Sequence, residues 1–133
     1  MEYEKIHNGY TVKIPLKPVP KERPRLGRMG VFTPTKTKRA EADLKYYFNK
    51  IPDLMTGPIS IKIIFCYKAK KHGWKTTRPD FDNLAKLVAD AGNGILWEDD
   101  NQIAHCEIMK VHSDKDQILM KVTNLTTAPE QTL

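Results

Sequence analysis

The chain has no long apolar run, no paired-cysteine motif and no histidine cluster, and each absence removes a class of protein. Its longest apolar stretches, such as Ile63–Cys66, fall far short of the roughly 20 residues that a membrane-spanning helix needs. The N-terminus begins Met1-Glu2-Tyr3-Glu4, without the apolar core of a secretory signal. The expectation is a soluble cytoplasmic protein with no membrane partner. Cys66 and Cys106 have neither a CxxC partner nor a nearby histidine cluster at zinc spacing, so neither a disulfide framework nor a structural zinc is indicated. A reducing cytoplasm suits both thiols. His7, His72, His105 and His112 are scattered without metal-ligand spacing, and none is a catalytic candidate. There are no repeats and no low-complexity tract.

What is present is positive charge. A formal net charge of +6 and a pI near 9.3 put an acidic polymer, nucleic acid first, at the head of the possible partners. At 133 residues the chain is long enough for one domain with its own hydrophobic core. Residues 1–125 are expected to form that domain and 126–133 a loose tail.

Tyr10, Val12, Ile14 and Leu16 alternate with Thr11, Lys13 and Pro15, the period-two pattern of a strand with one buried face. Lys17 to Arg28 is broken by Pro18, Pro20 and Pro24 and carries Lys17, Lys21, Arg23, Arg25 and Arg28 against the single acid Glu22, so it reads as a basic, poorly helical arm. Gly27-Arg28-Met29-Gly30 looks like the turn of a short hairpin. Thr33-Pro34 reads as a cap followed by a first-turn proline, and Ala40, Leu44, Tyr47, Phe48 and Ile51 predict a helix over residues 34–50. Ile59 to Tyr67 alternates as a second strand, and Lys68 to Lys75 is a basic loop. From Asp80, the residues Phe81, Leu84, Leu87, Val88, Ala91 and Ile95 share one apolar helical stripe. Strands over Ile103–Val111 and Ile118–Leu125 follow. This order implies an α/β (α+β) fold, a mixed β-sheet packed by two main helices.

Chemistry concentrates in Arg78-Pro79-Asp80-Phe81-Asp82-Asn83-Leu84-Ala85-Lys86, with Asp90 and Glu98-Asp99-Asp100 beyond it. At 100° per residue, Asp82 and Lys86 project away from the apolar stripe, one turn apart. Asp80 precedes the first regular turn and can either cap it or point forward beside Asp82. Phosphodiester hydrolysis needs charge stabilisation at the attacking and leaving oxygens, and clustered carboxylates holding Mg²⁺ provide it. A lysine can add a point charge on the phosphate or help deprotonate water. Acids facing DNA among Lys68, Lys70, Lys71, Lys75 and Arg78 make most sense when a metal screens them. A plainer account also exists: Asp80 caps the helix, Asp82 pairs with Lys86 at i,i+4, and Asp99-Asp100 is a polar turn.

At these residues the sequence resembles the RusA family of Holliday junction resolvases. The family pattern is an acid, a hydrophobic residue, Asp-Asn-Leu, a lysine two positions on, an aspartate, a turn with glycine, then Trp-x-Asp-Asp before a glutamine and an apolar residue. Asp80 to Lys86, Asp90, Gly94, Trp97 to Asp100 and Gln102-Ile103 follow it. Arg78-Pro79 and Pro20-Lys21-Glu22-Arg23-Pro24-Arg25 look like one branch of the family. The resemblance implies Asp80, Asp82 and Asp100 as metal-binding catalytic acids, Lys86 as the essential lysine, and Asp90 and Asp99 as supporting acids. It further implies Mg²⁺, with Mn²⁺ as a substitute, a homodimer, and paired nicks in four-way DNA junctions in a recombination, repair or prophage setting. One departure is Gly92, where the family more often has a bulky apolar residue. The helix is expected to end early there, with a left-handed glycine as one way to close it.

Lys21, Arg23, Arg25, Arg28, Lys70, Lys71, Lys75 and Arg78 are the candidate DNA-binding residues. Trp74 could stack on an unpaired base or anchor its loop. Trp97 is expected in the core, and Met109 and Met120 as core filler. Two other readings compete with the resolvase: a non-catalytic DNA-binding module using the arm 17–39 and loop 68–78, and a nuclease for other branched DNA.

Overall fold

The computed structural model describes residues 1–28, 30–32 and 34–131, leaving aside the side chains of Arg25 and Phe32. Strands β1 (Glu2–Ile6) and β2 (Gly9–Ile14) form an antiparallel hairpin. A second, separate hairpin joins β3 (Arg25–Gly27) to β4 (Gly30–Phe32). Helix α1 (Thr35–Phe48) leads to β5 (Ile59–Lys68) and β6 (Gly73–Trp74). Helix α2 (Phe81–Gly92), a 3-10 turn (Asp100–Gln102), β7 (Ile103–Ser113) and β8 (Gln117–Asn124) complete the chain.

The main sheet has six strands in the order β1-β2-β8-β5-β7-β6. It is mixed because β5 runs parallel to β7 and antiparallel to β8. Parallel neighbours need a long connection, and α2 lies in the one between β5 and β7. Alternation places Tyr10, Val12, Ile14, Ile59, Ile61, Ile63, Phe65, Ile118, Met120 and Val122 on one face, in a single core cluster with Leu44, Phe48, Leu84, Leu87 and Val88 of the helices. The expected single-domain mixed sheet with two helices is the observed architecture.

Several local expectations change. The N-terminal strand β1 has too few apolar residues to signal itself, and pairing with β2 is what forms it. Pro34 sits at the cap position of α1, one place before the first turn, and Thr33, Met29 and residues 132–133 lie outside the described residues. The basic loop contains β6, whose two residues pair with β7. Phe81, expected on the buried stripe, is 58% exposed because it opens the helix before α2 reaches the core. Met109 is only half-buried whereas Met120 is in the core, since the two point to opposite faces of the sheet.

Helix α2 does end at Gly92. The left-handed residue is Gly94, with φ of 75°, rather than Gly92. Gly92 is required for a different reason: a Cβ there would lie 2.3 Å from Cζ2 of Trp97. Trp97 is fully buried, as expected, and its Nε1 donates to the Ala89 carbonyl at 3.2 Å and to Asn93 Oδ1 at 3.1 Å.

Candidate active site

The exposed face of α2 carries the acids and Lys86. Asp80 is the residue before the helix, and its carboxylate makes no capping hydrogen bond, so the capping role considered for it is absent. Asp82 Oδ1 accepts from the Asn83 amide at 2.9 Å. Lys86 does not pair with Asp82. Its Nζ bonds instead to Asp90 Oδ1 at 3.0 Å, the i,i+4 partner on the C-terminal side, and to Asp100 Oδ2 at 3.4 Å. The structure therefore brings Asp90 and Asp100 together around Lys86.

Asp100 arrives there through a built turn. Asp99 Oδ2 accepts from the Asn101 amide at 3.1 Å, and Gln102 Oε1 accepts from the amides of Glu98 at 2.8 Å and Asp99 at 3.2 Å, a capping box at the 3-10 turn. The Gln102 amide nitrogen also donates to the carbonyls of Met55 at 3.1 Å and Gly57 at 2.9 Å, tying the turn to the segment after α1. Asp99 thus has a structural partner, while Asp100 is the acid that faces Lys86.

Three residues join the site that sequence reasoning placed elsewhere or missed. Lys21, counted among DNA contacts, turns inward to Asp90 Oδ2 at 3.1 Å and Glu41 Oε1 at 3.6 Å. Glu41 lies on α1, and nothing in its spacing marks it. The arm itself is held by the Lys21 amide on the Asn83 carbonyl at 2.9 Å, the Glu22 amide on buried Thr37 Oγ1 at 3.1 Å, and Tyr67 Oη on the Pro18 carbonyl at 3.1 Å. Lys110 of β7 also has no sequence signal; its Nζ donates to the carbonyls of Thr77 at 2.7 Å and Pro79 at 2.6 Å, positioning the entry to Asp80.

These contacts shift proton affinities. Hydrogen bonding to Asp90 is the main reason the Lys86 ammonium sits above the ordinary lysine value, against a smaller downward push from burial. Burial pushes the Asp90 carboxyl up, but hydrogen bonds from Lys86 and Lys21 outweigh it, and the group is held below the ordinary aspartate value. Lys86 is a cation at neutral pH, able to donate but not to take a proton from water.

Beside Asp80 the arm and α2 enclose a cleft of about 580 Å³ lined by Lys21, Arg23, Lys36, Arg78, Asp80 and Asn83, among others. Arg23, Arg28, Lys70, Lys71 and Arg78 are exposed, and Lys75 is half-buried over the Tyr67 ring at 4.7 Å. Arg25 lies on β3, its side chain outside the described atoms. Trp74 is 70% exposed, so it is not an anchor to the core.

The donor chemistry of Asp80, Asp82 and Asp100 suits a hard divalent cation. The geometry in this arrangement does not: among the described residues, no three His, Cys, Asp or Glu side chains converge to hold a metal ion. Among the described residues, too, no helix is long and apolar enough to cross a membrane.

The mixed six-stranded sheet with its two helices is consistent with the family comparison. The chain belongs to the endodeoxyribonuclease RusA family, whose model matches residues 15–123. It is similar to the crossover junction endodeoxyribonuclease rusA of Lactococcus phage r1t, 37% identical over 73 residues, which cover 51% of this chain and 56% of that protein. It is also similar to the uncharacterized protein YqaN of Bacillus subtilis (strain 168), 26% identical over 131 residues, covering 83% of this chain and 92% of that one.

Proposed function

We propose that the protein is a Mg²⁺-dependent endonuclease that resolves four-way DNA junctions by paired nicks, acting as a homodimer. The observation that carries this reading is Lys86 held between Asp90 and Asp100 on α2, the helix whose start at Asp80 and Asn83 lines the basic cleft. Family membership and the name of the phage relative support it.

On this reading Lys86, kept protonated by Asp90, is a point charge for the scissile phosphate, because a cation cannot serve as the base. Asp80, Asp82 and Asp100 would be the Mg²⁺ ligands, with Asp99 and Asp90 in support, and the ion would supply charge stabilisation at the reacting oxygens. Those three acids do not converge in the structure of the single chain. Arg23, Arg28, Lys36 and Arg78 would take DNA phosphates, while Lys21, paired to Asp90 and Glu41, would hold the arm in place. A dimer matches the approximate two-fold symmetry of a four-way junction.

The test incubates wild type, Asp80→Asn and Lys86→Ala with labelled four-way junction and matched duplex, with Mg²⁺, Mn²⁺ or EDTA. Symmetric nicks in the junction alone, dependent on metal and lost in both variants, are expected. Binding without cleavage by wild type under every metal would leave a non-catalytic DNA-binding domain; equal cutting of flaps or forks would change the substrate to branched DNA in general.

A further inference from the structure

We propose that Lys21 is a positioning residue for Lys86, acting through Asp90: it grips one oxygen of that carboxylate so that the other holds Lys86 toward the phosphate. The activity side of this inference rests on the proposed nuclease function; its structural side does not.

The Asp90 carboxylate is divided between two ammonium groups. Its Oδ1 meets Lys86 Nζ at 3.0 Å and its Oδ2 meets Lys21 Nζ at 3.1 Å. Lys21 Nζ also lies 3.6 Å from Glu41 Oε1, and Lys86 Nζ 3.4 Å from Asp100 Oδ2. Charges therefore alternate along Glu41, Lys21, Asp90, Lys86 and Asp100, which come from α1, the basic arm, α2 and the 3-10 turn. Lys86 is the outward member, with 56% of its side chain open to solvent, whereas Asp90, Lys21 and Glu41 stand at 19%, 27% and 25%. Water screens the sheltered pairs least, so they are the ones able to fix a geometry for the exposed lysine.

A lysine on an open helix face has many rotamers, and a carboxylate with one free oxygen can turn to follow it. With Oδ2 held by Lys21, Asp90 cannot turn freely, and Lys86 has one place to bond. Lys21 also balances the Asp90 charge. Without it, two carboxylates would face one ammonium, and Lys86 would present little positive potential to a phosphate.

Lys21 is itself fixed through the main chain. Its amide donates to the Asn83 carbonyl at 2.9 Å, and Asn83 and Asp90 stand about two turns apart on α2, so backbone and side chain grip one side of the helix. The next amide, of Glu22, donates to Thr37 Oγ1 of α1 at 3.1 Å. Arg23 follows at once and lines the cleft beside Asp80. The residue proposed for a DNA phosphate and the residue that sets Asp90 thus share one short, clamped segment.

Single-turnover cleavage of the four-way junction at saturating protein, alongside junction binding at several salt concentrations, reads the role. Lys21→Met should lower the cleavage rate about tenfold or more, the scale for a charge displaced rather than removed, with junction Kd and its salt slope unchanged. Lys21→Arg, which keeps the charge, should restore most of the rate. Glu41→Gln, on the far side of Lys21, should give a smaller loss in the same direction and stands in if Lys21→Met does not fold. In an Asp90→Asn background, Lys21→Met should lower the rate no further, since both act through one carboxylate. Without DNA or metal, ¹⁵N NMR of the lysine ammonium groups follows Lys86, assigned by its loss in Lys86→Ala. That signal should be protected from solvent exchange in wild type and Lys21→Arg, and broadened away in Lys21→Met.

An unchanged rate with a salt slope smaller by about one makes Lys21 a phosphate contact and overturns the positioning role. Additive losses in the Asp90→Asn background overturn it too. Wild type that fails to cut while the Lys86 signal still depends on Lys21 overturns the nuclease reading alone; cleavage with a signal indifferent to Lys21 overturns the positioning role alone.

Discussion

Gly92 lies so close to Trp97 that a single added carbon would stand 2.3 Å from the indole. The last residue of α2 and the fully buried ring form one contact, and the chain between them reverses through Gly94 at φ 75°. That reversal delivers Asp99 and Asp100 to the exposed face of the helix. The glycine at 92 therefore serves the site through packing.

Gly92→Ala should destabilise the protein by about 1–3 kcal/mol, the usual range for overpacking, although alanine is the better helix former by about 1 kcal/mol. Urea unfolding measures it. A stabilised variant would show that Trp97 can move without cost.

Gln102→Ala removes both anchors of the acidic turn, two accepted and two donated bonds. A loss of about 1 kcal/mol is expected, because the bonded backbone groups are exposed or half-buried and water replaces most of what they lose. Cleavage of junction DNA should fall with it, and hydrogen exchange should rise over residues 98–102. Unchanged exchange there would remove Gln102 as the positioning residue of Asp100.

Lys110→Met keeps the length of the side chain but drops the bonds to Thr77 and Pro79. Faster amide exchange at 75–81 and weaker junction binding are expected, with little change in global unfolding. A variant with wild-type exchange would show that the loop holds itself.

Lys86→Ala should lower the cleavage rate by about 10²-fold or more, the scale for losing one preorganised charge, while the fold survives because the side chain is exposed on α2. Circular dichroism and junction binding separate the two. Retained cleavage would move the essential cation elsewhere.

Acid should loosen the N-terminal edge. Hydrogen bonds from Lys5 and Tyr3 hold the Asp53 carboxyl below the ordinary aspartate value, and the bond to Asp53 is the main cause that pushes Tyr3 up to about 12. A carboxyl depressed on folding stabilises at pH above its unfolded value and loses that contribution as pH falls through the folded one. Asp53→Asn should therefore lower Tm at pH 7 but flatten the fall in Tm below pH ~4. Parallel curves for wild type and variant would exclude Asp53 as a source of the acid dependence.

Local pattern was enough to read the strands from Tyr10, Ile59, Ile103 and Ile118 and both helices, because alternation and helical periodicity are properties of neighbouring residues; the grouping of Asp80, Asp82, Lys86 and Asp100 came from the family resemblance instead. Local pattern was also enough to place Trp97 in the core. Three-dimensional packing alone decided that Lys86 faces Asp90 and Asp100 rather than Asp82, that Lys21 pairs with Asp90 and Glu41, and that Lys110 holds the entry to α2. Most of these contacts join residues far apart in sequence, and even at i,i+4 the sequence offers Lys86 an acid on either side. Which one it takes depends on where the turn after Gly92 sets Asp100, and that is fixed by a glycine meeting a buried indole.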